Sequence, residues 1–214
     1  MYFDQLRLEK LLQSALTEYN IPGLVVCVMH DGEIIYNCGF GSRTASSFSR
    51  VNSKTIFGVA SVTKLVTALI IKRAEHENIL KMSDLVSLHI PDLSCVQNTG
   101  IQISHLLNHS AGFPGLPTRH ESAGLYGSEK NQKMKSFDDL VEYLNSLTFD
   151  MLAKPGQLQS YSNEGYCLLG GIIERLYSNS FSSIAVEKVF KPLEMNRSFI
   201  GMSQVEFFDN IFCL

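Results

Sequence analysis

Asp31-Gly32 stands between two stretches rich in apolar and β-branched residues, 24–29 and 33–40. Both residues of such a pair tolerate positive φ, so between strand-like runs it selects a two-residue hairpin turn. Leu24-Val25-Val26-Cys27-Val28-Met29 is apolar at every position, the pattern of an interior strand with cover on both faces. Upstream, Leu8, Leu11, Leu12, Ala15 and Leu16 recur at helical spacing, and Asn20 with Pro22-Gly23 stops them, which predicts a helix over 4–19. Residues 41–54 read as loop and Thr55-Ile56-Phe57 as a short strand; beyond them the chain reads as almost wholly helical. The expectation is an α+β fold in one domain spanning 1–214, with a helix and sheet portion over 1–57 and a mainly helical portion over 58–214.

Within 61–77, Val62, Leu65, Val66, Leu69, Ile70 and Ala74 make one apolar stripe, leaving Lys72, Arg73, Glu75 and Glu77 outside; this predicts a buried central helix. Shorter helices are expected near 83–89, 103–108 and 136–147, with Gly112-Phe113-Pro114-Gly115-Leu116-Pro117 as a loop between the last two. Further helices are expected over 164–177 and 181–190, before Lys191-Pro192.

A length of 214 residues leaves room for a real core and for an enzyme. The net charge of -3, with both signs interspersed, argues against nucleic-acid and membrane-surface partners and for small-molecule or peptide substrates. Five cysteines form no C-x-x-C pair, and an odd number does not close into a complete disulfide framework. Cys27 and Cys38, in the two strands, read as small buried hydrophobes. The N-terminal stretch meets Arg7, Glu9 and Lys10 early and lacks a secretory pattern. No apolar run approaches the roughly 18 residues of a membrane span. The expected setting is the cytoplasm, with free thiols.

Ser61-Val62-Thr63-Lys64 is an S-x-x-K pattern at the start of the strongest helix. Residues i and i+3 share a helix face, so the hydroxyl and the amine can approach each other and pass a proton. The helix start adds a backbone N–H and the positive end of the dipole, both suited to an oxyanion. Read alone, the same residues also suit an ordinary N-capped helix. Three Y-x-N triplets occur. Tyr143 falls inside an amphipathic helix, and Tyr177 lies at a helix end. Tyr161-Ser162-Asn163 instead follows Lys154-Pro155-Gly156 and immediately precedes a helix, a turn able to aim a phenol and an amide into a cleft.

The runs Phe57-Gly58-Val59-Ala60-Ser61-Val62-Thr63-Lys64, Ile103-Ser104-His105-Leu106-Leu107-Asn108-His109-Ser110-Ala111-Gly112, Pro155-Gly156 leading into Tyr161-Ser162-Asn163-Glu164-Gly165-Tyr166, and Phe190-Lys191-Pro192-Leu193-Glu194-Met195 resemble, in the same order, the class C β-lactamases. That family includes penicillin-binding proteins, D-Ala-D-Ala carboxypeptidases, D-amino-acid peptidases and esterases. The resemblance implies a β-lactamase/transpeptidase-like fold and a serine hydrolase working through an acyl-enzyme on amide, lactam or ester substrates. It makes Ser61 the nucleophile, Lys64 the proton-transfer partner and Tyr161 the general base, with Asn163 binding the substrate amide and the lysine. It implies no metal and no organic cofactor.

The family's third motif, Lys-Thr-Gly or His-x-Gly on a central strand, has one counterpart in composition, His30-Asp31-Gly32, and that falls in the hairpin turn. The expectation is a C-terminally truncated member lacking the last sheet strands. An alternative is a catalytically weak homologue that serves as a binding module. A two-stranded hairpin so poorly covered is also expected to self-associate through 24–40 or to need a complementing polypeptide. His105 and His109 have the i, i+4 spacing of a metal pair but lack an evident third ligand; the alternative is that His105 packs along a helix and His109 shapes the loop before Gly112. Arg119, His120 and Tyr126 fall in the loop after Pro117, where Arg119 and Tyr126 could line a cleft entrance.

Overall fold

The structure, a computed structural model, describes residues 3–44, 49–114 and 136–201. It is α+β, with a two-stranded sheet and several helices among those residues. The chain forms two compact units, one dividing from the other between Ala60 and Ser61 and between Met195 and Asn196.

The first unit begins with α1 (Gln5–Glu18), whose first turn is closed by Asp4: its carboxylate accepts the Arg7 N–H at 3.0 Å. The hairpin follows as β1 (Gly23–His30) and β2 (Glu33–Gly41), antiparallel from Gly23 opposite Gly41 to His30 opposite Glu33, with one irregularity between Val28 and Met29. Asp31 at φ 50° and Gly32 at φ 82° make the turn, as a primed hairpin turn requires. The triplet His30-Asp31-Gly32 is thus consumed by hairpin geometry. Tyr36 links strand to helix: it is buried, its hydroxyl donates to Glu9 at 3.2 Å, and its ring stands 5.8 Å from Phe3. Burial pushes that phenol's pKa up. Arg197 joins the same unit by donating twice to the Lys54 carbonyl, at 2.8 and 3.1 Å.

Two sheet expectations are corrected. Along β1 burial alternates, with Val25, Cys27 and Met29 exposed and Leu24, Val26 and Val28 half-buried, so the strand has one covered face rather than two and Cys27 is not interior. Residues 55–57 form no strand.

The second unit is helical: α2 (Thr63–His76), α3 (Val86–His89), α4 (Ile103–Leu107), α5 (Phe137–Ser146), α6 (Asn163–Tyr177) and α7 (Phe181–Ala185), the last running into a π-helical stretch, Val186–Phe190. Helix α6 is its centre, packing on α2, α4, α5 and α7. It buries Leu168, Leu169, Ile172 and Ile173, and α2 meets it with Ile70, Ile71 and Ala74. Outside α3 and a 3-10 turn, Ser94–Val96, the chain over 77–102 is irregular, as it is over 147–162, so this portion is less helical than expected. Nor is α2 buried all along its stripe. Its interior face is Thr67, Ile70, Ile71 and Ala74, while Val62, Leu65 and Leu69 are 58, 66 and 50% exposed. The helices of this unit pack along one side of α2, and the six apolar positions of the stripe span more of its circumference than one wall covers. No helix among the described residues is long and apolar enough to cross a membrane.

Candidate active site

Ser61 lies in a 3-10 turn, Ala60–Val62, that leads directly into α2. Ala60 takes φ 44°, a left-handed conformation that is unfavourable for a residue with a Cβ and tends to occur where a site demands it. The turn leaves Ser61 exposed at the mouth of the helix, with Lys64 one turn further on. Lys64 Nζ donates to Ser61 Oγ at 3.3 Å and to Asn163 Oδ1 at 2.8 Å. On the other side of the serine, Ser61 Oγ and the Tyr161 hydroxyl are hydrogen-bonded at 2.7 Å. The four residues singled out in the sequence, Ser61, Lys64, Tyr161 and Asn163, therefore meet within hydrogen-bonding distance, although about one hundred residues separate the two pairs.

What carries Tyr161 to that place is a stretch of irregular chain laid along residues 109–112. Leu152 N–H donates to the Gly112 carbonyl, Gly156 N–H to the Ser110 carbonyl and Ser160 N–H to the His109 carbonyl, each at 2.8 Å. Gly112, at φ 87°, is in contact with the Ala153 backbone, so a side chain there would collide with main chain as well as strain it. Immediately after Tyr161, Ser162 caps α6: its buried hydroxyl accepts the Gly165 N–H at 3.0 Å and donates to Glu164 at 2.9 Å. The Ser162 N–H donates to His109 Nδ1 at 3.2 Å.

Three rings surround the lysine and the tyrosine. Lys64 Nζ stands 4.9 Å from the centre of the Tyr161 ring and 5.3 Å from that of Tyr166, within the range where an ammonium is attracted to an aromatic face. His109 packs on both rings, at 4.5 and 5.1 Å between centroids. Tyr166 is anchored by donating to the Leu107 carbonyl at 2.8 Å, and burial, then the neighbouring Tyr161, push its pKa up. Burial, and then the Lys64 charge, push the His109 imidazole below its ordinary range.

Ser162, Glu164 and Tyr166 were not singled out as site residues from the sequence, and His109 was weighed there only as a metal ligand or a loop-shaping residue. The available signal was that His109 and the Glu164-Gly165-Tyr166 run lie inside the quoted motifs. As for metal ligation, His105 Nδ1 accepts the Gln102 N–H at 3.1 Å and His109 Nδ1 that of Ser162, so each ring turns a nitrogen to backbone. Among the described residues no group of three or more His, Cys, Asp or Glu is placed to hold a metal ion. Arg119, His120 and Tyr126 lie outside the described residues.

A family model described as Beta-lactamase matches residues 8–208. Protein flp of Staphylococcus aureus is 27% identical over 198 residues, which are 91% of this chain and 38% of that protein. Penicillin-binding protein 4* of Bacillus subtilis is 27% identical over 191 residues, 89% of this chain and 40% of that one. Among solved structures, the octameric penicillin-binding protein homologue from Pyrococcus abyssi superimposes with a TM-score of 0.87 at 29% identity, over 98% of this chain and 47% of that chain. FmtA from Staphylococcus aureus shares the fold, with a TM-score of 0.70 at 22% identity over 89% of this chain and 49% of its own. The chain thus spans about two fifths of the length of these curated relatives.

Proposed function

Because the chain belongs to the Beta-lactamase family, we propose that it is a serine hydrolase that forms an acyl-enzyme on Ser61 with an amide, lactam or ester substrate. The observation that carries this reading is the bracketing of Ser61 Oγ by the Tyr161 hydroxyl at 2.7 Å and Lys64 Nζ at 3.3 Å. A serine hydroxyl is a weak nucleophile until a neighbouring base takes its proton, and both candidates stand within reach. Tyr161 in its deprotonated form accepts the Ser61 proton as Oγ bonds to the carbonyl carbon; Lys64, held by Asn163, stabilises the negative phenolic oxygen. The proton then passes to the leaving nitrogen or oxygen as its bond to carbon breaks. Water repeats the exchange, giving up a proton to Tyr161 and releasing the acid, and Ser61 recovers its own. The Ser61 N–H, at the helix start, is one donor for the oxyanion.

A second reading, a weakly catalytic binding module, is favoured by one observation: the only His-x-Gly in the sequence is the hairpin turn. A missing oxyanion donor typically slows a reaction about 100- to 1,000-fold. A fluorophosphonate or penicillin probe separates the readings. The expected result is stoichiometric labelling of Ser61, abolished by Ser61→Ala, with turnover of nitrocefin and p-nitrophenyl esters well below the ~10 per second of a typical enzyme. Absence of label on intact, folded chain leaves the binding module standing.

A further inference from the structure

One residue grips the turn that carries the phenol from both ends. The His109 carbonyl accepts the Ser160 N–H at 2.8 Å, and His109 Nδ1 accepts the Ser162 N–H at 3.2 Å. Between those two bonds the Tyr161 ring lies against the imidazole, 4.5 Å between centroids and 32° between planes. His109 takes φ 61°, a left-handed conformation in which histidine, asparagine and aspartate are enriched. Because Nδ1 accepts a hydrogen bond, the ring must be neutral with its hydrogen on Nε2. We propose that His109 is a positioning residue for the Ser61–Lys64–Tyr161 centre: as the neutral Nε2–H tautomer it holds the Tyr161-Ser162-Asn163 turn against Ser61, and its protonation releases that turn. The proposal rests on the acyl-enzyme reading for its kinetic consequence, but not for its geometry.

Protonation at Nδ1 turns an acceptor into a donor aimed at the Ser162 N–H, and sets a second cation beside Lys64. The titratable groups facing the imidazole are Lys64 from α2, Tyr161 from the turn and Tyr166 from α6. Glu164 lies just beyond, accepting the Ser162 hydroxyl proton. The lowered imidazole pKa agrees with a ring kept neutral at pH 7. The active form is the deprotonated one, so the centre loses function as pH falls through the folded-state pKa, below the ordinary histidine value of about 6.5.

Two variants divide the contacts. His109→Asn retains an acceptor near the position of Nδ1 and tolerates positive φ, but it removes the ring and its titration. His109→Phe keeps a ring and removes the acceptor. Second-order labelling of Ser61 by a fluorophosphonate, measured from pH 5 to 9 on the full chain, should show an acid limb that coincides with the imidazole titration followed by NMR. His109→Asn should lower the rate and abolish that limb. His109→Phe should slow labelling about 10- to 100-fold at every pH, the scale of a displaced catalytic group. An unchanged acid limb in His109→Asn overturns the proposal. Should the wild-type chain take no label at all, the acyl-enzyme reading fails separately, and NMR decides for His109. An Nε2–H tautomer, with Ser162 amide and Tyr161 ring signals that follow the imidazole titration, supports it; an Nδ1–H tautomer, or signals indifferent to that titration, overturns it.

Discussion

Ser162 does three things within one turn of chain. Its hydroxyl caps α6 through the Gly165 N–H, the same hydroxyl donates to the Glu164 carboxylate, and its backbone N–H rests on His109. Loss of a serine cap costs about 1 kcal/mol, and removing a donor from a nearly buried carboxylate adds about 1–3 kcal/mol. Ser162→Ala is therefore expected to destabilise the chain by about 2–4 kcal/mol in urea unfolding; a change under ~0.5 kcal/mol would show the capping geometry to be incidental. At this scale the sequence was partly legible. Ser61, in the 3-10 turn, and Lys64, in the first turn of α2, are three residues apart, so their meeting is a local matter of near-helical spacing. Tyr161 could be picked from three Y-x-N triplets because it alone sits in a turn. His109 and Glu164 escaped, since a histidine in a loop and a glutamate in a first helical turn look ordinary until chain 53 residues distant is laid against one and a cap folds over the other.

Among the elements, α6 was easily read, and its partners were not. Its apolar stripe and the Ser178 stop at φ 50° are local properties. What it packs on is not, and Gly171 records that packing. The Phe137 ring of α5 occupies the space where a Cβ on Gly171 would stand. That ring is pinned in turn by Arg175, 4.9 Å from its centre, which also makes paired bonds to Asp92 at 2.8 and 2.9 Å. A pinned ring yields poorly, so Gly171→Ala is expected to cost about 1–3 kcal/mol by overpacking, even though alanine is the better helix former by nearly 1 kcal/mol. Thermal melts would check the sign, and a stabilised Gly171→Ala would mean that Phe137 moves freely. The same dependence on partners explains α2: its stripe was visible as apolar, but which part lies inside depends on where α6 and α7 approach.

For the whole molecule, the sheet decides behaviour. Val25, Met29, Ile34 and Ile35, at 38, 63, 60 and 40% exposure, present apolar surface on a sheet that has two strands among the described residues, a combination prone to pairing with another copy. The purified chain is expected to self-associate through residues 24–40, and a Met29→Lys, Ile34→Lys double variant to shift it toward monomer. Light scattering on eluting protein checks this; a monomer at all workable concentrations, with a sharp melt and no binding of a hydrophobic dye, would contradict it.

By itself the sequence determined whatever depends on neighbours along the chain. The Asp31-Gly32 turn, the helix behind Asp4, the S-x-x-K spacing and the turn ahead of α6 all follow from backbone preferences acting over a few residues. Tertiary structure alone decided which apolar residues are covered and which polar groups meet across loops. Val25 and Leu65 are as plainly apolar as Ile70, yet they are exposed while Ile70 is fully buried, and apolar patterning states a need for cover without supplying it. Tyr161 reaches Ser61 because backbone hydrogen bonds run from 109–112 to 152–160. Those bonds use groups that every residue carries, so no side-chain pattern announces them.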